Sequence, residues 1–463
     1  MVRPKVLIVL VVFTFAMCAV QNFIESASAG EIKILGETSF TEDIVNPRFP
    51  IYLVPTGKDI MWMLFSNEKQ EIILKNTAEK QEIILNKDIQ GTSSGTVWCE
   101  ENGKLYVAWR AKAGDKNIYF RSVNLSSLEL AKPIEIGGDS QPLPRLKLEC
   151  TGNVINLVWL GEKPKGKTRY SIYASRSFDG GQTFSDVSDV TPQTEYSIYP
   201  SLITDSNGNA YVFSEVVREG KREMVFRMAT KDGWLDPISI GEIGILLLPA
   251  SPLKVGNRLI VFWFNSYEGV PVTEMAYSDD GGKTWTRNVL EATRNFDLSA
   301  LKAVSGDEQN IYLVMSGVNA KEQQQNPKNT KDTLVFFYSH DGGKTFSGPV
   351  YIRHDPFGLY TRAQFPHITA KGKNVVVVWN DYRNIRSNIY MNYSTDGGVT
   401  WQPQDISLEE PGKFNTLLHW NANNLDENNL VEVEGKYYIL AYRFTDDSLE
   451  KAYPVLISFK IKK

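Results

Sequence analysis

An eight-residue pattern, S-x-D-G-G-x-T-[FW], occurs four times in this chain and constrains its fold more than any other feature. The copies occupy residues 177–184, 278–285, 339–346 and 394–401. Each residue type makes up only several per cent of average usage, so chance does not produce four copies. A worn fifth copy, TKDGW, stands at 230–234. Every copy reads as a tight hairpin. The paired glycines supply positive φ angles, and the Asp carboxylate accepts backbone amides across the turn. Ser and Thr add local side-chain-to-backbone bonds. The closing Phe or Trp starts the next strand and packs between neighbouring repeats. Asp179, Asp280, Asp341 and Asp396 are therefore expected to be structural, not catalytic or calcium-binding.

A second marker is more regular. Short β-rich runs end near Leu64, Trp109, Trp159, Phe213, Trp263, Met315, Trp379 and Tyr442, which lie 45 to 64 residues apart. Around each marker, alternating apolar residues and Gly/Asn/Asp punctuation predict four short strands, A to D. No amphipathic helix is evident after residue 30. Eight such units fit. The last unit, 430–461, offers three strands, while 31–35 lies spare before the first. Pairing that spare strand with the last unit closes a ring and removes an open edge. The expected fold is all-β: one propeller of four-stranded blades, eight in preference to six or seven.

The pattern is the Asp-box, or BNR repeat, and the chain resembles the sialidase-like β-propeller superfamily. The enzymes of that family use three Arg on a substrate carboxylate, a Tyr–Glu nucleophile pair and an Asp acid/base. Arg48, within Pro47-Arg48-Phe49-Pro50, resembles their first Arg, which lies in an Arg-Ile-Pro motif. Arg145 follows Leu143-Pro144 and Arg362 precedes Gln364-Phe365-Pro366, so the resemblance offers these as the further Arg positions. The chain departs from the family at the acid: Asp59 precedes strand B of the first unit instead of following it. Tyr382 and Glu215 are the candidates for the Tyr–Glu pair.

The N-terminus reads as a signal peptide. Arg3 and Lys5 precede an apolar run over 6–20, and Ala27-Ser28-Ala29 offers a cleavage site. The run is short for a spanning helix. Met17 stands where a lipidation site before Cys18 needs a small residue. The division is thus 1–29 signal peptide and 30–463 propeller, secreted or periplasmic. Cleavage leaves Cys99 and Cys150, which end the A strands of neighbouring blades. A disulfide and two buried thiols are both open. With 50 Lys+Arg against 54 Asp+Glu, nothing points to nucleic acid.

In an up-and-down blade, alternate loops emerge on opposite faces. The boxes occupy C–D loops, which leaves the B–C loops and the D–A crossovers at the other mouth. Ligand sites form where such loops converge. That face carries Arg362, Asp381, Tyr382, Arg383, His419 and Trp420, with 411–428 read as a crossover. Arg forks suit carboxylates, and Tyr and Trp faces suit sugar rings. No metal motif or cofactor signature is present. The sequence favours a monomeric propeller binding a glycan or anionic ligand without chemistry. The alternatives are an exo-glycosidase of exo-α-sialidase type and a platform for an extracytoplasmic protein.

Overall fold

A computed structural model describes residues 32–462, apart from 48, 57–60, 80, 90–94, 111–116, 139–140, 163–169, 193, 245–248, 320, 322–324, 326–331, 355–361 and 419–428. The expected signal peptide lies outside the described residues, as do Arg48, His419 and Trp420.

Eight antiparallel sheets follow one another along the chain. Their innermost strands, A, are Ile51–Pro55, Val97–Glu101, Gln141–Thr151, Tyr196–Thr204, Ser251–Val255, Phe296–Ser305, Ala363–Lys371 and Leu430–Val433. Each pairs with a strand B, in order Met61–Ser66, Lys104–Trp109, Val154–Glu162, Ala210–Arg218, Arg258–Tyr267, Ile311–Asn319, Asn374–Asn384 and Lys436–Phe444. All eight predicted markers fall in these B strands and are buried. The apolar core is not one mass. It divides into eight clusters, each shared by two adjacent blades, and the cluster between blades 8 and 1 joins Tyr438 and Leu440 to Ile51 and Met63. A ring therefore closes, with eight blades.

Closure uses the spare N-terminal strand. Ile32–Ser39 pairs antiparallel with Ala452–Ile461, from Ile32 opposite Ile461 to Ser39 opposite Val455, and supplies the outermost strand of blade 8. The strand is longer than the predicted 31–35 because its polar residues face solvent while only the backbone is needed for pairing.

The boxes lock blade to blade. In each, one Asp oxygen accepts the Ser hydroxyl and the Thr amide, and the other accepts the Thr hydroxyl. The Ser hydroxyl in turn accepts the amide of the second glycine. The closing aromatic packs edge-on against the preceding blade: Phe184 on Phe120, Trp285 on Phe226, Phe346 on Phe262 and Trp401 on Phe336, at 4.7 to 5.4 Å between ring centres. Cations at the start of strand B add to this. Lys104 and Arg258 donate to the carbonyls of Gly180 and Gly342 in the next blade's box. The worn copy in blade 4 forms a tighter turn, with Thr230 paired to Gly233. In blades 1 and 2, Asn76 and Asn124 replace the Asp and accept two amides each in the same loop.

On the inner strands one open question is answered and one reading changes. Cys99 and Cys150 form a disulfide, with Cα atoms 6.0 Å apart, within the range such a bridge requires. The stretch 411–428 is not all crossover. Thr416–Leu417 already pairs with Arg443 and Tyr442 on the inner edge of blade 8, and Leu430–Val433 pairs further along the same strand. The Thr416–Leu417 pairing was hidden because a strand of two residues has no periodicity to read.

Candidate functional site at the box-free mouth

At the box-free mouth the inner strands are irregular at one common level. Register shifts separate Pro142 from Leu146, Ile198 from Ser201, Leu298 from Ala300 and Gln364 from His367. These bulges bend the inner strands into a lip and re-aim their side chains. Tyr199 and Phe365 occupy equivalent bulges, each at φ 54° and each followed by proline. An aromatic residue at positive φ ahead of proline is costly, and such strain gathers at functional sites.

Below the lip lies a central cavity of about 300 Å³ to which all eight inner edges contribute. Its polar lining includes Lys147, Glu149, Lys302 and Asn429. Asn429 is tied to three blades. Its amide donates to His367 Nδ1 at 3.0 Å, its side chain to the Ile51 carbonyl at 2.9 Å, and its carbonyl accepts the Leu440 amide.

The described part of the predicted sector separates into two groups of opposite character. Asp381 and Arg383 turn inward. The Asp381 carboxylate accepts from Arg353 at 2.9 Å, Arg383 at 2.7 Å and the Trp379 indole at 3.0 Å. Arg383 also bonds Asp405 at 2.7 Å and the His354 carbonyl, and lies over the Tyr390 ring. Its side chain is 6% exposed and those of both Asp are 0%. Burial works to raise the Asp381 pKa, but the two guanidiniums bring it down to about 2. Asp405 is pushed up by burial, against Arg383. These residues brace the loop from within, because a buried carboxylate requires paired charge, and Arg383 presents no open fork to a ligand.

Arg362 is the contrary case. It is exposed, and among the described residues its side chain makes no hydrogen bond. Its backbone carbonyl accepts the Tyr382 amide at 3.1 Å, which fixes both at the lip. Beside them is Asp332, whose carboxylate accepts from Gln364. Burial raises the Asp332 pKa, opposed by the Gln364 bond and the charge of Arg362. Burial likewise raises the Tyr382 phenol. Asp332 and Gln364 were missed in the sequence. Asp332 stands just before strand Thr333–Ser339, and only the folded chain brings it to Gln364.

Arg145 lies elsewhere on the lip, in the bulge of blade 3. Its guanidinium sits 4.3 Å from the ring centre of Tyr199 in blade 4. Tyr170 meets Tyr196 edge-on at 5.6 Å, and Tyr196 feels the charges of Glu215 and Arg145. Glu215 is fully buried and paired with Arg222. The two proposed members of a Tyr–Glu pair are thus apart: Tyr382 in blade 7 and Glu215 in blade 4. Blades 3 and 7 stand half a ring apart, so Arg145 and Arg362 flank the mouth from opposite sides.

Among the described residues, no helix is long and apolar enough to cross a membrane. The BNR/Asp-box repeat family matches residues 276–287 and 393–403. No curated protein sequence matches the chain. Among solved structures, it is similar to the polysaccharide lyase Uly1, at 11% identity and a TM-score of 0.49, over 80% of this chain and 90% of that one. It is similar to a Trypanosoma rangeli sialidase in complex with the inhibitor DANA, at 12% identity and a TM-score of 0.37, over 71% of this chain and 56% of the sialidase. A prolyl endopeptidase shares 15% identity with a TM-score of 0.47, over 86% of this chain and 55% of that one. The chain spans little more than half the length of the last two.

Proposed function

We propose that this chain, a sialidase-like β-propeller carrying BNR/Asp-box repeats, binds an anionic glycan at its box-free mouth. The observation that carries this reading is the contrast between arginines. Arg353 and Arg383 are consumed in a buried network, whereas Arg362 is exposed beside Tyr382, with no side-chain hydrogen bond among the described residues. A guanidinium in that setting forks a carboxylate, and the adjacent Tyr supplies a face for a sugar ring. Arg48, His419 and Trp420 remain part of the proposal through the sequence alone. The signal-like N-terminus and the Cys99–Cys150 disulfide support an exported protein in an oxidising compartment.

A second reading, an exo-glycosidase, is favoured by one observation: Asp332 beside Arg362 is a carboxyl held toward its protonated form, as a general acid requires. Calorimetric titration with D-galacturonate and N-acetylneuraminate tests the binding reading. Wild type should bind at least one of them and Arg362→Ala should weaken it about tenfold or more. Equal binding by both proteins would remove Arg362 from the site. Turnover of a fluorogenic sialoside, abolished in Arg362→Ala, would favour the enzyme.

A further inference from the structure

We infer that the mouth grips an extended acidic oligosaccharide at two points half a ring apart, instead of a single terminal acidic sugar. The inference rests on the binding reading above and deepens it. The first station is Arg362 with Tyr382, Gln364 and Asp332 at the junction of blades 6 and 7. The second is Arg145 over Tyr199, with Tyr196 and Tyr170, at the junction of blades 3 and 4. Both arginines belong to the irregular openings of inner strands, Arg145 between Pro142 and Leu146, Arg362 next to Ala363. They are therefore on one face of the ring.

Three of the eight blades lie between blade 3 and blade 7 in either direction. A guanidinium must reach hydrogen-bond distance to fork a carboxylate. Cations on opposite walls of a mouth are placed to serve two carboxylates along one chain. The floor between them contributes Lys147 and Lys302 against Glu149. At the rim, Glu215 is matched by Arg222, and Asp332 is held toward neutrality. The exposed Asp297 also lies near Asp332, so the anion-attracting points along this line are Arg145 and Arg362 themselves. Aromatic rings at the second station suit a pyranose stacked beside its acid group. Two weak contacts on one chain reinforce each other through effective concentration, without any new contact.

The test titrates wild type, Arg145→Ala, Arg145→Lys and Arg362→Ala with D-galacturonate and with linear hexagalacturonate, using maltohexaose as the neutral control. Wild type should bind the acidic hexamer at least about tenfold more tightly than the monomer and the neutral hexamer. Arg145→Ala should lose about tenfold for the hexamer and leave the monomer unchanged, and Arg145→Lys should recover part of that loss. Arg362→Ala should weaken both acidic ligands. If Arg145→Ala binds the hexamer like wild type while Arg362→Ala weakens both, the site is single-point: the two-point inference falls and the binding reading stands. If wild type binds neither acidic ligand, both fall.

Discussion

Arg443 and Glu37 lie 406 residues apart in sequence and form an ion pair, with Nη2 to Oε2 at 3.0 Å. Glu37 is on the N-terminal strand and Arg443 on strand B of blade 8, so the pair is a side-chain latch on the closed ring. Arg443 also bonds Glu409 at 2.9 Å and lies over Phe414 at 4.0 Å. The Arg443 and Glu409 side chains are each 1% exposed, while Glu37 is partly open to water. Arg443→Ala strands the Glu409 carboxylate and should cost about 3–5 kcal/mol of stability. Glu37→Gln should cost well under half of that, because surface pairs contribute little. Denaturant titration measures both, and equal losses would show that Glu37, not Glu409, is the partner that matters.

The box of blade 7 offers a test of interblade locking. Gly398 has φ +87°, and a Cβ there would lie 2.2 Å from Phe336 of blade 6. Gly398→Ala is therefore expected to push blade 6 and blade 7 apart and to be more damaging than Gly397→Ala, where the neighbour is the exposed His340 ring instead of the buried Phe336. Asp396→Ala should lower stability by about 1–3 kcal/mol by leaving turn donors unpaired, with ligand affinity of the folded fraction unchanged. A stable Asp396→Ala protein that lost its ligand would place the site on the box face.

The legible part of the fold was the part that repeats. S-x-D-G-G-x-T-[FW] and the B-strand markers report local turn chemistry and alternation, and these fixed blade number and ring closure. The site was legible only as a face. Arg362 and Arg383 stand 21 residues apart in similar polar loops, yet one is exposed and the other is spent on Asp381 and Asp405. Asp405 lies in another loop of the same blade, and no local pattern announces that pairing. Asp332 was invisible for the same reason: its environment is assembled by Gln364 and Arg362 across a blade boundary.

Acid should loosen the boxes. The Thr183 and Thr284 hydroxyls hold Asp179 and Asp280 well below the usual carboxylate range. Burial opposes this at Asp341, yet the Thr345 bonds bring it down to about 2, and Asp396 is lowered in the same way. A depressed folded pKa means the unfolded chain takes up protons first, near pH 4. The stability these groups contribute is complete above that pH and is lost as pH falls toward 2. Melting curves from pH 5 to 2 should show a smaller acid loss for Asp341→Asn than for wild type. Parallel curves would mean that the box carboxylate is not the titrating group.

The disulfide joins the inner strands of blades 2 and 3 across 51 residues. Closing a loop of that size restricts the unfolded chain, and the Cys99→Ala/Cys150→Ala double variant should lose about 2–4 kcal/mol. The loss should match that of the wild type under reducing conditions. A double variant as stable as the oxidised wild type would show that the interblade cluster around Tyr106, Phe120 and Trp159 suffices alone.

Asp332 carries the opposite pH signature from the boxes, and this makes it the sharpest probe of the mouth. Burial raises its pKa above that of the unfolded chain, despite Gln364 and Arg362. Its ionised form is thus a cost to folding that is absent below about pH 4 and complete once pH exceeds the folded value. Asn keeps the oxygen that accepts from Gln364 and removes the charge. Asp332→Asn should therefore stabilise the protein at pH 7 and leave it unchanged near pH 4. A residue retained at a cost to stability fits a role in the site. If the mouth performs hydrolysis, the same variant should lose turnover while still binding galacturonate, since Arg362 is untouched. If Asp332→Asn instead destabilises the protein equally at both pH values, the carboxylate is a structural anchor and the enzyme reading loses its acid.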